Sequence, residues 1–150
     1  MAQVKKAELR KAILSSAFDL FRDKGYAHCR MADIARAAGT SVANLYSYFP
    51  SKLHLLYEVY IPLSTARLME LANTARNIDD PKKRLRHIFL VLWRDLPREH
   101  DGFARNLIQA IATAPPDVEK PHEPLQRNVD FIHDLVLECL PEQRRFLFQD

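Results

Sequence analysis

Apolar residues recur along this chain at spacings of three and four, and no stretch sustains strand-like alternation, so the pattern predicts helices throughout. In AELRKAILSSAFDLFRDKG, the residues Ile13, Leu14, Ala17, Phe18 and Phe21 make one stripe, and Gly25 follows as a stop. A short second helix, about 31 to 38, turns Met31, Ile34, Ala35 and Ala38 inward and ends at Gly39. A third runs from Ser41 as N-cap to Phe49, where Pro50 disfavours continuation. Ser51 caps a long fourth helix that begins KLHLLYEVY, and Pro62 within it predicts a kink or break near 58 to 62. Asp80 caps a fifth helix and Pro81 opens it, with Leu85, Ile88, Phe89, Leu92 and Leu96 on one face. A sixth covers roughly 102 to 114, and APPDVEKPHEP, with four prolines in eleven residues, reads as a surface loop. A seventh, 124 to 140, places Leu125, Val129, Ile132, Val136 and Leu140 on one side and Phe131, Leu135 and Leu137 on others.

The third helix is too short to exist mainly for burial. On a wheel of 100° per residue, Leu45 and Phe49 define an inward side with Tyr48 on its border. Ala43 and Ser47 fall near the opposite pole, and Asn44 and Tyr46 lie on the flanks. The outward surface is therefore small, uncharged and hydrogen-bonding, whereas ordinary solvent faces carry Lys and Glu. Gly39 and Thr40 join this helix tightly to the second, with Gly39 suited to the left-handed conformation and Ala35 small where the two helices cross. This is the helix-turn-helix arrangement, whose second member lies in the DNA major groove.

Charge supports a polyanionic partner. Residues 1 to 54 carry nine Lys or Arg against four acids, a balance of +5, while the remaining 96 carry 13 against 15, a balance of −2. The basic excess thus sits beside the helix-turn-helix. Two cysteines, Cys29 and Cys139, form no disulfide framework and fit a reduced cytoplasm. The N-terminus runs into an amphipathic pattern rather than a signal core, and the longest apolar run, IFLVLW at 88 to 93, is too short for a bilayer, so neither secretion nor a membrane is expected.

The stretch ILSSAFDLFRDKGY, followed by MADIARAAGTSVANLYSYFPSKLHLL, resembles the N-terminal signature of the tetracycline-repressor-like (TetR) family over about residues 10 to 56. The resemblance implies an all-α homodimer with a three-helix helix-turn-helix DNA-binding domain, residues 1–50, joined through the long fourth helix to a C-terminal helical bundle. Residues 51–150 are then the ligand-binding and dimerisation domain. It also implies that Tyr46 and Lys52 meet the phosphate backbone, and that Val42, Ala43, Asn44, Ser47 and Tyr48 face the groove. Chemistry agrees: Asn pairs bidentately with adenine, and Val42 or Ala43 meets a thymine methyl. Arg30 departs from the pattern, because it stands at the N-cap of the second helix, where the family usually has Thr or Ser. Arg accepts no capping bond, so that helix end is expected to be weaker by about 1 kcal/mol, with Arg30 reaching a phosphate instead and His28 beside it. Thr40 is a second departure, at a position more commonly aliphatic.

The family usually finishes with two further long helices that pair across the dimer axis, and PEQRRFLFQD stands where the first would begin. For this length alone, dimerisation falls to the sixth and seventh helices or is lost. Phe89, Trp93, Phe103 and Phe131 are core residues by spacing, and the candidates to line an effector pocket between helices. The histidines lack metal-ligand spacing, and no nucleophile, base and oxyanion set or phosphate loop can be assembled, so neither a metal, a cofactor nor an enzyme is expected. The expected function is a repressor released from a palindromic double-stranded DNA operator by a small, largely apolar effector, with Pro62 as hinge. The competing reading is a helical sensor or protein-interaction module with only weak, non-specific DNA binding.

Overall fold

The structure, a computed structural model, describes residues 2–98, 101–113 and 122–141. Within them the chain is all-helical: α1 (Ala2–Lys24), α2 (Met31–Ala37), α3 (Val42–Tyr48), α4 (Lys52–Arg76), α5 (Pro81–Leu90), α6 (Phe103–Thr113) and α7 (His122–Leu137). After α5 the backbone widens into a π-helical turn, Val91–Asp95, and then tightens into a 3-10 turn, Leu96–Arg98. The helices divide between two compact units, Met1–Pro62 with Glu99–Pro121, and Leu63–Arg98 with His122–Asp150.

In the first unit the expected stripe of α1 is buried at Ile13, Ala17 and Phe21, and Ile34 and Ala35 of α2, Leu45 of α3, Phe49, and Leu55 and Leu56 of α4 are buried as well. Each fully buried Leu, Ile or Phe contributes roughly 1.5–3 kcal/mol of transfer free energy. The turns between helices follow from two glycines with positive φ. Gly25, at φ +80°, closes α1 with its N–H on the Phe21 carbonyl at 3.0 Å. Gly39, at φ +67°, makes the turn into α3; an added Cβ would meet nothing within 4 Å there, so the constraint is one of backbone conformation alone.

Helix α6 joins this unit through a polar side chain. Asn106 is fully buried; its Oδ1 accepts from the Tyr26 N–H at 2.7 Å, and its Nδ2 donates to the Phe21 carbonyl and to the Tyr60 hydroxyl, both at 2.9 Å. The Tyr60 hydroxyl in turn donates to the Asp101 carbonyl at 2.9 Å. Arg105 donates to the carbonyls of Phe21 and Arg22, and Gln109 Oε1 accepts from the Ala27 N–H at 3.2 Å. These groups satisfy the carbonyls that end α1 and the N–H groups of the turn leading to α2, which a helix end leaves without intrahelical partners.

The second unit is centred on Leu68, Leu71, Ala72 and Ala75 of α4, Ile88 of α5, and Leu135 and Cys139 at the end of α7. Leu85, Val91, Leu92, Phe131, Ile132 and Val136 pack around them, half-buried. Polar links fix α7 along α4: Asn128 Nδ2 donates to Ser64 Oγ at 2.9 Å, Thr65 Oγ1 donates to Asn128 Oδ1 at 3.0 Å, and Arg76 forms a two-pronged pair with Glu138, the shorter contact 2.7 Å. Asp80 caps α5 by accepting from the N–H groups of Lys82 and Lys83, at 2.8 and 3.2 Å, with Pro81 following as expected.

Four expectations are corrected. Of the kink or break expected near 58 to 62, the break is absent, since helix α4 runs continuously from Lys52 to Arg76 with Pro62 inside it. The fifth face does not run to Leu96 in one α-helix, because α5 gives way to the π-helical turn after Leu90, and within α5 itself Ile88 is buried while its neighbour Phe89 is 47% exposed. In α7 the inward side is centred on Leu135 rather than Val129, which is 56% exposed. Of the stretch expected to form a proline-rich loop, 114–121 lies outside the described residues, but His122, Glu123 and Pro124 belong to the first turn of α7, where proline needs no donor.

Candidate nucleic-acid interface

The third helix is held from below and open above. Leu45 and Phe49 are buried, Tyr48 is half-buried, and Val42, Ala43, Asn44, Tyr46 and Ser47 are exposed. Val42 and Tyr46, at 39% and 48%, are among the exposed large apolar side chains of the unit. Ser41 caps the helix by accepting from the Asn44 N–H at 3.1 Å, and the Phe49 N–H closes its end on the Leu45 carbonyl at 3.0 Å. The outward face therefore has the wheel's geometry and carries no charge.

Side chains on that face are already ordered. Asn44 Nδ2 donates to Thr40 Oγ1 at 2.8 Å, and Ser47 Oγ donates to the Asn44 carbonyl at 2.7 Å. Below them the first helix supplies cations: the Lys6 ammonium stands 5.8 Å from the Tyr48 ring centre, and Arg10 stands 5.4 Å from that of Phe49 while pairing with Glu58 at 2.7 Å. The flank of α2 adds exposed Arg30 and Arg36, the latter 3.6 Å from Asp33. Arg30 caps α2 with extended backbone and no side-chain hydrogen bond, so its guanidinium contributes nothing to the helix end.

Lys52 occupies a different position from the one expected of a phosphate clamp. Its Nζ donates to the carbonyls of Tyr26 at 2.8 Å and Cys29 at 3.1 Å, and stands 4.2 Å from the Tyr26 ring centre. The ammonium thereby ties the start of α4 to the turn between α1 and α2. Burial pushes its pKa below the ordinary lysine value, and burial likewise pushes the Cys29 thiol up. Cys29 is buried and held as a thiol, a packing residue.

The segment that builds this geometry, a capped two-turn helix with an uncharged outward face set across a glycine turn from its partner, lies within a region of sequence similar to known proteins. Residues 13–59 match the family described as bacterial regulatory proteins, tetR family. This segment is a tetR-family module. The HTH-type transcriptional regulator CymR of Pseudomonas putida is 38% identical over 71 residues, which are 43% of this chain and 35% of that protein. The HTH-type transcriptional regulator RutR of Escherichia coli K12 is 51% identical over 43 residues, 29% of this chain and 20% of that protein. The crystal structure of the TetR-family transcriptional regulator PfmR from Thermus thermophilus superposes with a TM-score of 0.57 at 29% identity, covering 91% of this chain and 71% of that one. The chain thus spans about a third of CymR and a fifth of RutR. These relatives are transcriptional regulators, and the family is not one of enzymes.

The family-model match falls on residues 13–59, ahead of the second unit. There the four aromatics expected to line a pocket separate. Phe89 and Trp93 stack on each other, ring centres 5.1 Å apart, and are exposed, Trp93 at 71%. For these two the enclosed setting is corrected: four residues apart and stacked, they share the exposed side. Phe131 is half-buried against the second core, and Phe103 belongs to the first unit, 5.6 Å from the Tyr60 ring. Sequence reasoning missed Asn106 and the role of Thr40. Both had a signal in spacing: Asn106 sits at an inward position between Phe103 and Ala110 of α6, and Thr40 precedes Asn44 by four residues. Among the described residues no three His, Cys, Asp or Glu side chains are placed to hold a metal, and no helix is long and apolar enough to cross a membrane.

Proposed function

We propose that the chain is a sequence-specific regulator of transcription, a repressor whose helix α3 reads base edges in the major groove of an operator. The observation that carries this reading is the outward face of α3. Val42, Ala43, Asn44 and Ser47 are exposed, small or hydrogen-bonding, and rigidly seated over Leu45 and Phe49. The basic balance of +5 over residues 1 to 54 supplies the attraction to phosphates that any such docking needs. In this reading Asn44 pairs with adenine, Val42 or Ala43 meets a thymine methyl, Tyr46 and Arg30 meet phosphates, and Tyr48 forms the groove wall with Lys6 beside it. Lys52 acts chiefly by holding the turn that positions α2, with its remaining N–H facing the backbone of the duplex.

Two copies acting as a homodimer in the cytoplasm would place their α3 helices in successive major grooves, about 34 Å apart, and so favour a near-palindromic site. Residues 1–50 form the reading domain in this proposal, and 51–150 the ligand-binding and dimerisation domain. A small, largely apolar effector enters among the half-buried side chains around the second core, where Phe131, Leu85, Leu92 and Ile132 lie. Its binding releases DNA only if the effector binds the two conformations of the protein unequally. Pro62 is the proposed hinge, since it removes one backbone donor from the middle of α4 and the border between the two units falls immediately after it.

Selection of bound duplexes from a randomised pool at two salt concentrations tests the reading. A specific dimer enriches an inverted repeat and loses affinity steeply with salt. Enrichment of no sequence, with weak binding to every duplex, would return the chain to the class of sensor or interaction modules.

A further inference from the structure

Thr40 stands in the turn between α2 and α3, one residue before the cap Ser41. Its backbone is fixed by an N–H donated to the Ala35 carbonyl at 2.9 Å, and its side chain is half-buried, so its hydroxyl has a settled position. That hydroxyl accepts the 2.8 Å hydrogen bond from Asn44 Nδ2. On the other side of the amide, Ser47 Oγ lies 3.4 Å from Asn44 Oδ1 while donating to the Asn44 carbonyl. The Asn44 backbone is held as well, by the Ser41 cap. An exposed asparagine on a two-turn helix would ordinarily sample several rotamers and both faces of its amide. Here it is tethered at its nitrogen.

We propose that Thr40 is a specificity-determining positioning residue: it fixes the orientation in which Asn44 presents its amide, and so sets the base pair that Asn44 reads. This rests on the reading of α3 as a recognition helix. The chemistry is that of a group with two donors on one side and an acceptor on the other. With one Nδ2 hydrogen held by Thr40, the second hydrogen and Oδ1 are left together, and these are the donor and acceptor that match N7 and N6 of adenine. A valine in place of Thr40 keeps the branched shape but offers no acceptor, so the amide swings free and must be ordered on binding. A serine retains the acceptor. Thr40 itself touches no base in this account; it acts through Asn44.

The experiment compares duplex selections by the wild-type protein, Thr40→Val, Thr40→Ser, Asn44→Ala and the double variant Thr40→Val with Asn44→Ala, followed by competition with duplexes changed at single base pairs. Ordering a side chain on binding lowers affinity by about 2- to 10-fold. Thr40→Val is expected to reduce discrimination by that amount at the one symmetry-related pair of positions that Asn44→Ala also flattens. Thr40→Ser should restore it to within about 2-fold, and the double variant should lose no more than Asn44→Ala alone. Unfolding midpoints of the Thr40 variants should match the wild type, since a purely structural role would move them and would not be rescued base by base. If Thr40→Val enriches the wild-type motif unchanged, or alters a position that Asn44→Ala leaves alone, the positioning role is overturned while the recognition helix stands. If the wild-type protein enriches no motif, the recognition helix and the positioning role fall together.

Discussion

Replacing Asn106 by alanine should cost more stability than any other single polar deletion in α6. The side chain is fully buried and makes three hydrogen bonds, to Tyr26 N–H, the Phe21 carbonyl and the Tyr60 hydroxyl. Their losses are unequal. The Phe21 carbonyl keeps the Gly25 N–H and Arg105, and the Tyr60 hydroxyl keeps the Asp101 carbonyl, so these two bonds cost about 0.5–1.5 kcal/mol each at most. The Tyr26 N–H loses its partner inside the protein, and a buried donor left unmade costs about 1–3 kcal/mol. The sum is about 2–6 kcal/mol, before any cavity is counted. Gln109→Ala is the control: it removes a single 3.2 Å bond to the exposed turn residue Ala27 and should cost about 1 kcal/mol or less. Denaturant unfolding of both variants gives the difference, and amide hydrogen exchange at Tyr26 locates it, with protection lost in Asn106→Ala and kept in Gln109→Ala. Equal costs for the two variants, or an unchanged Tyr26 amide, would refute the assignment of Asn106 as the bond that anchors α6 to the end of α1.

Other consequences are as direct. Asp80 is held below the usual carboxylate range by the backbone N–H groups of Lys83 and Lys82, so the folded state favours its charged form. Its contribution to stability is present above the ordinary carboxylate pKa and lost as pH falls through the lowered folded value; Asp80→Asn, which still caps, should remove that acid-side slope from the pH dependence of unfolding. For Lys52 the slope has the same sign but a different origin and pH range: burial disfavours the charged form and lowers its folded pKa, the unfolded chain binds more protons in the interval up to the ordinary lysine value, and stability should rise with pH across that alkaline interval. Lys52→Met should flatten this rise and, by leaving the Tyr26 and Cys29 carbonyls without the ammonium, cost about 1–3 kcal/mol in denaturant unfolding. A loss of DNA affinity without any loss of stability would instead make Lys52 a plain phosphate contact. Pro62→Ala should alter the coupling between effector and operator binding, measured as the change in operator affinity on saturation with effector; unchanged coupling removes Pro62 as the hinge.

Much of the helical layout was legible where its signals are local. Ser41, Ser51 and Asp80 cap the helices that follow them, and Gly25 and Gly39 take the left-handed backbone, all readable from residue type and spacing. The outward face of α3 was legible for the same reason: Leu45 and Phe49 fix the rotation of a seven-residue helix. What escaped depends on partners distant in sequence. Asn106 bonds Phe21 and Tyr26 across some eighty residues, and Lys52 reaches back to Tyr26 and Cys29, so neither role is written in its neighbours. The π-helical turn at Val91–Asp95 shifts the register by one residue, which no period of 3.6 anticipates, while Phe89, still in α5, lies about 100° around the helix from buried Ile88 and is exposed.

The claim on which the rest depends is that the small face of α3 lies against base edges, and Ala43 is the residue that tests it most directly. Ala43 is exposed and packs no core, so Ala43→Glu should leave the unfolding midpoint unchanged. Placed between base edges and phosphates, a carboxylate adds both bulk and like-charge repulsion of several kcal/mol, which lowers affinity for the selected duplex by about 100-fold or more in a fluorescence anisotropy titration. Binding within about 2-fold of the wild type by a fully folded Ala43→Glu protein would show that this face does not meet the DNA, and would contradict the account.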